Sequence, residues 1–444
     1  MAAAERVLVL VARASAGAQA EVSVRLGREA LTRFANSRIH QNVDGESSHV
    51  SLRVAEDGRV ASASLDGPLT DETLGRLVDD ALASARVRPV DPDWPGVAAP
   101  AVIEAVDHWD EETAAAAPGD RAHRVADFVR AAGGLEAAGY CSTESVVLAF
   151  ANSAGQAAVG RATSADMDGI ARTATSDGAA RAASVRLADL DGGALGERAA
   201  TKARTTADAT DIEPGRYEVI LEPQPVADVL SFLGIYGFNG RAVADGSSFA
   251  RVGEAQFDAR ITLRDDVTDP GQTGVAFDAE GTPRRPQDLV RAGVTSTIIH
   301  TRRTAARAGS GAESTGNALT GVWVAGAVPT ALVLAAGDQD DDALLAGVVR
   351  GLLVTDFFYT RVLDPRTQVV TGLTLNGVWL VEDGRVVRAV RNLRFTQSYL
   401  EALAPGNVRG VGARRSLVGD GWAGHALVPS LHLGAWSFTG GARG

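Results

Sequence analysis

Short alternating runs cut by tight turns dominate this chain and limit it to a sheet-rich fold. Glu56-Asp-Gly58 separates His49-Val-Ser-Leu-Arg-Val54 from Arg59-Val-Ala-Ser-Ala-Ser64, and Asp-Gly between two alternating runs is a strong hairpin signal. From Phe257 onward, short apolar runs alternate with Gly, Asp and Pro, and Asp278-Ala-Glu-Gly281 and Glu382-Asp-Gly384 are turn signals. Glu21 to Arg25 and Tyr217 to Leu221 read as strands, and short strands are expected between Glu136 and Ala174. Helices are fewer. Val7 to Ala12 reads as part of a buried first helix and not as a signal peptide. Thr70-Asp-Glu-Thr73 supplies an N-cap and early acids for a helix to about Arg86. Further helices are predicted near residues 120–132 and 192–206, and from Pro225 to Tyr236. Asp340-Asp-Asp342 is expected to start another, carrying Leu344 to Leu353.

These elements predict an α+β chain. Residues 1–212 form an N-terminal mixed α/β domain. Residues 213–444 form a C-terminal, mostly antiparallel β domain with a few helices. The break falls at Asp211-Ile-Glu-Pro-Gly215, and the proline-rich stretch from Pro89 to Pro100 reads as a connector.

Composition narrows the function. The 43 basic residues are outnumbered by 55 acidic ones, a net charge of −12. That balance argues against broad binding to nucleic acid, which needs a basic surface. No apolar run approaches the length that spans a bilayer. The single cysteine, Cys141, forms no internal disulfide and fits a reducing compartment. A cytoplasmic protein is expected.

Few residue patterns in the sequence suggest chemistry. No two of the seven histidines are spaced four apart, so no helix presents a zincin-type pair. His108-Trp-Asp-Glu-Glu112 reads as an exposed helix start, with acids favouring the positive end of its dipole. Asp338 to Asp342 lacks the glycine and terminal glutamate of an EF-hand loop, and helix capping explains it. Gly309-Ser-Gly-Ala-Glu-Ser-Thr-Gly316 lacks the Lys of a phosphate-cradling loop and reads as a mobile surface loop. Cys141 is expected to be buried and inert. No Gly-x-Ser-x-Gly elbow occurs.

Four segments in order carry a resemblance. They are Arg33-Phe-Ala-Asn-Ser-Arg-Ile-His-Gln-Asn42, continuing through the Asp57-Gly hairpin; Pro92-Asp-Trp-Pro-Gly96; Val390 to Ser398 with Leu400-Glu-Ala-Leu403; and Val428-Pro-Ser-Leu-His432 through Gly440. Together they resemble the signatures of the TldD/PmbA family over nearly the whole chain. In that family the TldD type carries His-Glu-x-x-x-His on a helix, with a later cysteine completing a zinc site. Two histidines five apart can approach one metal, and the glutamate can act as base toward its water.

On this chain the first histidine position falls on Ser231, the glutamate on Phe232 and the second histidine on Tyr236. Gly237 and Gly240 keep the flanking glycines. The resemblance therefore implies a TldE/PmbA-type subunit with no catalytic or metal residue of its own and no cofactor in this chain. Zinc is expected in a TldD-type partner bearing the motif. The two would form a heterodimer that degrades or trims unfolded or short peptides, with Tyr236, Asn239 and Gly240 as peptide-contact positions. A stand-alone, homodimeric peptide-binding scaffold is the alternative. Unrelated chemistry using His300 with nearby Ser and Asp is a third.

Overall fold

The computed structural model describes residues 1–309, 311–319, 326–419 and 424–441. In the first part of the chain, helix α1 (Ala2–Ala14) leads into strands β1 (Gln19–Ala35), β2 (Arg38–Glu56) and β3 (Arg59–Asp66). Helices α2 (Asp71–Arg86), α3 (Glu111–Ala114) and α4 (Pro118–Ala131) follow, then β4 (Glu136–Asn152), β5 (Ala157–Arg172), β6 (Asp177–Ser184) and α5 (Gly192–Thr205). The six strands form one antiparallel sheet in the order β3-β2-β1-β4-β5-β6.

Local sequence explains the turns and ends. Asn36 and Ser37 (φ 51° and 60°), and Asp57 and Gly58 (φ 50° and 72°), take the left-handed conformations that tight hairpins require. Thr70 and Thr73 form a reciprocal cap on α2. Leu74, Leu77, Val78, Ala81 and Leu82 then recur at helical spacing and are buried against the sheet.

Alternation along β1 gives the sheet two different faces. Val22 and Val24 pack with α1 and α2, and Phe34 meets Phe128 of α4 at 5.5 Å between ring centres. Glu21 and Ser23 face the opposite way, toward the second half of the chain, where the Ser23 hydroxyl donates to the Ala279 carbonyl at 3.4 Å. Phe150, Ala158 and Ala162 pack on that side against Val275 and Phe277.

The second half begins with β7 (Gly215–Leu221), α6 (Pro223–Tyr236), α7 (Gly240–Ala244), β8 (Leu263–Asp265), β9 (Gln287–Arg291), β10 (Val294–Thr295) and α8 (Arg302–Ala308). It continues through β11 (Ala331–Leu334), α9 (Asp341–Ala346), β12 (Arg350–Asp364), β13 (Val369–Glu382), β14 (Arg385–Ala389) and β15 (Leu393–Ser398). It ends with α10 (Tyr399–Ala402), β16 (Val408–Val411), β17 (Ser416–Gly419), β18 (His425–Val428) and β19 (Leu431–Gly441). One sheet runs β10-β9-β8-β11-β18-β17. The other runs β12-β7-β19-β15-β13 and closes on itself, because β12 also pairs with β13. Helix α6 packs against strands of both sheets, with Val226, Val229, Leu230 and Leu233 in the largest core cluster.

The α+β class is thus observed, with corrections. The strands between Glu136 and Arg172 are long, at 17 and 16 residues, not short. The helix at Asp341 stops at Ala346, and Leu352 and Leu353 lie in β12. Apolar residues buried on both faces of that strand mimic a buried helix in sequence. His108 is buried, not exposed, and its Nδ1 lies 3.1 Å from the Gly274 carbonyl oxygen. Ser310 of the Gly309–Gly316 loop lies outside the described residues. The end of that loop is anchored, since Thr315 Oγ1 accepts from the His300 amide at 2.9 Å and Asn317 donates to Asp265 at 2.6 Å.

Candidate functional site

Helix α6 carries the three positions that the resemblance assigns to zinc chemistry. Its part-exposed stripe is Gln224, Asp228, Phe232, Ile235 and Tyr236, and Ser231 is only 4% exposed. The Phe232 ring stacks on Tyr236 at 5.9 Å (23° between planes) and meets Tyr399 edge-on at 5.9 Å. Tyr399 continues the cluster to Trp436, which contacts Phe395 and Phe357. Aromatic pairs of this geometry add to the stabilisation from burial alone.

Asp228, one turn before Phe232, is held by hydroxyls. Its Oδ1 accepts from Tyr399 at 2.8 Å and its Oδ2 from Thr360 at 2.7 Å. Burial, reinforced by that carboxylate, pushes the Tyr399 phenol well above its ordinary value, so it stays a donor. A seryl hydroxyl, a phenyl ring and a stacked phenol do not make a zinc site, which needs imidazole, thiolate or carboxylate. The side chains at Ser231, Phe232 and Tyr236 therefore do not fit the metal.

Beyond the helix, Asn239 caps α7, its Oδ1 accepting from the Arg241 amide at 2.9 Å. Gly240 passes so close to His300 that a β-carbon there would lie 2.3 Å from Nδ1. Asn239 and Gly240 are buried, and Tyr236 is partly exposed.

The histidines are dispersed. The His300 ring contacts Thr304 Oγ1 at 3.3 Å, and burial lowers its pKa. No carboxylate hydrogen-bonds that ring among the described residues. His425 pairs with Asp166 at 3.0 Å and His432 with Glu218 at 3.1 Å. Cys141 is fully buried, and burial pushes its thiol up to about 12, so it is no nucleophile.

Among the described residues, two clefts open between the first sheet and the second half. The smaller, about 680 Å³, is lined by Tyr140, Asp166, Gln224, Phe358 and His425. Arg181 ties it together, donating to Asp168 and to Asp356 at 2.7 Å each. Burial alone would lower the pKa of this guanidinium, but the two carboxylates outweigh it, and Arg181 stays charged.

The larger cleft, about 1000 Å³, has the first sheet as its floor and Glu280 and α8 on its wall. Arg53 donates to Glu21 at 2.6 Å and to Glu280 at 3.3 Å, and the Arg302 amide donates to Glu280 at 2.9 Å. Burial raises Glu21 strongly, Arg53 offsets this in part, and Glu280 adds to it; the carboxyl reaches about 7. Burial and Glu280 likewise lift Asp278 to about 7, against three backbone amides that favour its charged form. Sequence reasoning missed this cluster. Only the Asp278–Gly281 turn was visible, and nothing local says that it lies against Glu21 and Arg53.

Comparison with known proteins places this geometry in a family. A family model described as the PmbA/TldA metallopeptidase C-terminal domain matches residues 214–440, and the corresponding domain 1 matches residues 20–85. A metalloprotease of Methanothermobacter thermautotrophicus is 25% identical over 227 residues, 49% of this chain and 48% of that protein, so the match spans about half of the curated relative's length. TldE from Thermococcus kodakarensis superposes with a TM-score of 0.89 at 19% identity, covering 99% of this chain and 100% of TldE. A candidate modulator of DNA gyrase from Thermotoga maritima gives a TM-score of 0.85 at 19% identity, with 99% of each chain covered. These last two likenesses concern the fold. The C-terminal domain match spans more than half of the 444 residues, and this chain belongs to the TldD/PmbA metallopeptidase family.

Proposed function

We propose that this chain is a TldE-like, non-catalytic subunit that works with a TldD-type partner carrying His-Glu-x-x-x-His and zinc, on unfolded or short peptides. The observation that carries this reading is the state of α6. Phe232 and Tyr236, at the glutamate and second-histidine positions, are packed together and Phe232 rests on Tyr399, while Ser231 is buried. The helix thus serves as a core element at the place where the partner would hold its metal.

A second feature supports a peptide-handling role. β3 pairs with β2 only from His49 to Glu56, so from Arg38 to Ser48 the outer edge of β2 has no neighbouring strand among the described residues. Such an edge can add an extended chain through backbone hydrogen bonds, largely independent of sequence. The exposed side chains there include His40, Asp44 and Glu46, and charge on an edge restrains indiscriminate aggregation.

The test is cleavage of an unstructured peptide in zinc-containing buffer by this chain, by a paralogue bearing the motif, and by the mixture. Activity that requires the mixture is expected. Cleavage by this chain alone that survives a chelator would overturn the proposal. Inactivity of the mixture with retained peptide binding would favour the homodimeric scaffold.

A further inference from the structure

The floor of the larger cleft is polar in ordered rows. Strand register places Glu21, Arg53 and Ser62 side by side across β1, β2 and β3. The next row on the same face is Ser23, Ser51 and Ser64. Neighbouring strands are roughly 5 Å apart, so each row is about 10 Å long. Such a floor suits a ligand with several polar groups.

A buried carboxyl and two arginines with donors to spare face this space. Glu21 is 4% exposed; its Oε1 takes Arg53, but its Oε2 is buried and takes no hydrogen bond. Burial makes ionising this carboxyl costly, and a cationic donor beside Oε2 would favour its charged form. On the other side, among the described residues, the Arg302 guanidinium donates only to the Gly96 carbonyl, at 2.9 Å, and Arg88 lines the cleft as an exposed, water-solvated cation. The other arginines of the wall are matched: Arg303 holds Asp91 at 2.8 and 3.0 Å, and Arg241 holds Asp245 at 3.2 Å. The cleft therefore can take one cationic donor at its floor and one carboxylate at its rim. A polyamine answers only the first need and a simple anion only the second.

We propose that this cleft binds a short peptide by its two charged ends, the amino terminus on Glu21 and the carboxylate on Arg88 and Arg302. An ammonium offers three donors, enough to engage Glu21 Oε2 and neighbouring serine hydroxyls. A guanidinium matches a carboxylate in planar, charge-assisted geometry. The site would hold substrates or products of the peptidase. In this it rests on the peptide-handling role proposed above, but it needs no partner to bind.

The experiment is calorimetric titration of the full chain with di- to hexa-alanine, and with the N-acetylated and C-amidated forms of the best binder. Acetylation and amidation are each expected to weaken binding by about ten-fold or more. Glu21→Gln should remove the penalty for acetylation but keep that for amidation; Arg88→Ala should do the reverse in part, because Arg302 remains. Each variant is judged by the ratio between probes, so a general loss of folded protein does not mimic the result. Equal affinity for free and capped peptides, or no saturable binding at millimolar peptide, overturns the inference. Either outcome leaves the partner-dependence of cleavage to be decided by its own assay, so the two readings fail separately.

Discussion

Replacing Glu21 by glutamine should change how the stability of this protein depends on pH. Burial lifts the Glu21 carboxyl from 4.5 to about 7; Arg53 opposes the rise, while Glu280 and Asp278 add to it. The physical reason is shortage of positive charge. Arg53 is shared between Glu21 and Glu280, and the Arg302 guanidinium is the further cation that acts on Glu21. The folded chain therefore keeps a proton on Glu21 up to about pH 7, while the unfolded chain releases it near 4.5. Between those values the folded state binds more protons, so stability falls as pH rises. The contribution is complete below about pH 4.5 and is lost through pH 7. A shift of this size is worth about 3 kcal/mol at most. Asp278 titrates in the same window and is coupled to the same group, so about 2–3 kcal/mol is the expected share of Glu21.

Glutamine resembles the protonated acid and has no proton to lose. Wild type and Glu21→Gln should therefore be nearly equal in stability at about pH 5. At about pH 8 the variant should be the more stable by roughly 2–3 kcal/mol. Urea unfolding followed by circular dichroism measures this. With a denaturant slope of about 3 kcal/mol per molar or more for a chain of this length, the gap between midpoints should open by up to about 1 M. A gap that is the same at both pH values would refute the argument, whatever its absolute size.

Three further outcomes are expected. Phe232→Ala removes the stack on Tyr236 and the edge contact with Tyr399, and should cost about 2–4 kcal/mol in chemical unfolding; an unchanged midpoint would show that the cluster does not hold α6. Gly240→Ala places a methyl 2.3 Å from His300 Nδ1 and should destabilise by about 1–3 kcal/mol, read as a lowered melting temperature, with an unchanged melting temperature counting against the close contact. The triple variant Ser231→His, Phe232→Glu, Tyr236→His restores the family's motif letters, yet should melt below the wild type and retain no stoichiometric zinc after dialysis, because a glutamate at 232 meets the aromatic cluster without a cationic partner. Stoichiometric zinc in a well-folded triple variant would contradict the account of α6.

Much of the fold was legible from local patterns, and what was missed is non-local. The helix expected from Pro225 to Tyr236 is observed from Pro223 to Tyr236, because its apolar density and leading prolines are local signals. The Asp57-Gly58 and Asp383-Gly384 turns were legible for the same reason: both pairs take positive φ. The full length of β1 and β2 was not. From Arg38 to Ser47 every residue of β2 is exposed, so no buried face imposes the apolar alternation that marks a strand. The Glu21–Arg53–Glu280 cluster was invisible because Arg53 and Glu280 lie 227 positions apart. Single acids and arginines in a charged sequence carry no sign of burial.

In α6, too, the sequence shows which metal ligands are missing but not what replaces them. A metal-binding helix must keep space and donor atoms on one face, held open against the tendency of a core to close. Here the side chains on that face fill the space. Phe232 and Tyr236 lie on each other, Tyr399 closes one side, and Trp436 extends the packing toward the β12–β13 ring. Asp228, the remaining acid on the helix, accepts hydrogen bonds from Tyr399 and Thr360 at 2.8 and 2.7 Å. That arrangement stabilises the helix through apolar contact and satisfied polar groups, the two terms that a metal would otherwise supply through coordination. A helix packed this way needs no zinc to hold its shape. The α6 region of this chain should therefore stay folded in chelator, whereas a chain that carries His-Glu-x-x-x-His and zinc on that helix would lose part of its support. Melting this chain and a motif-bearing paralogue separately, with and without chelator, separates the two cases: a chelator-dependent loss in this chain would mean that its helix relies on a metal after all.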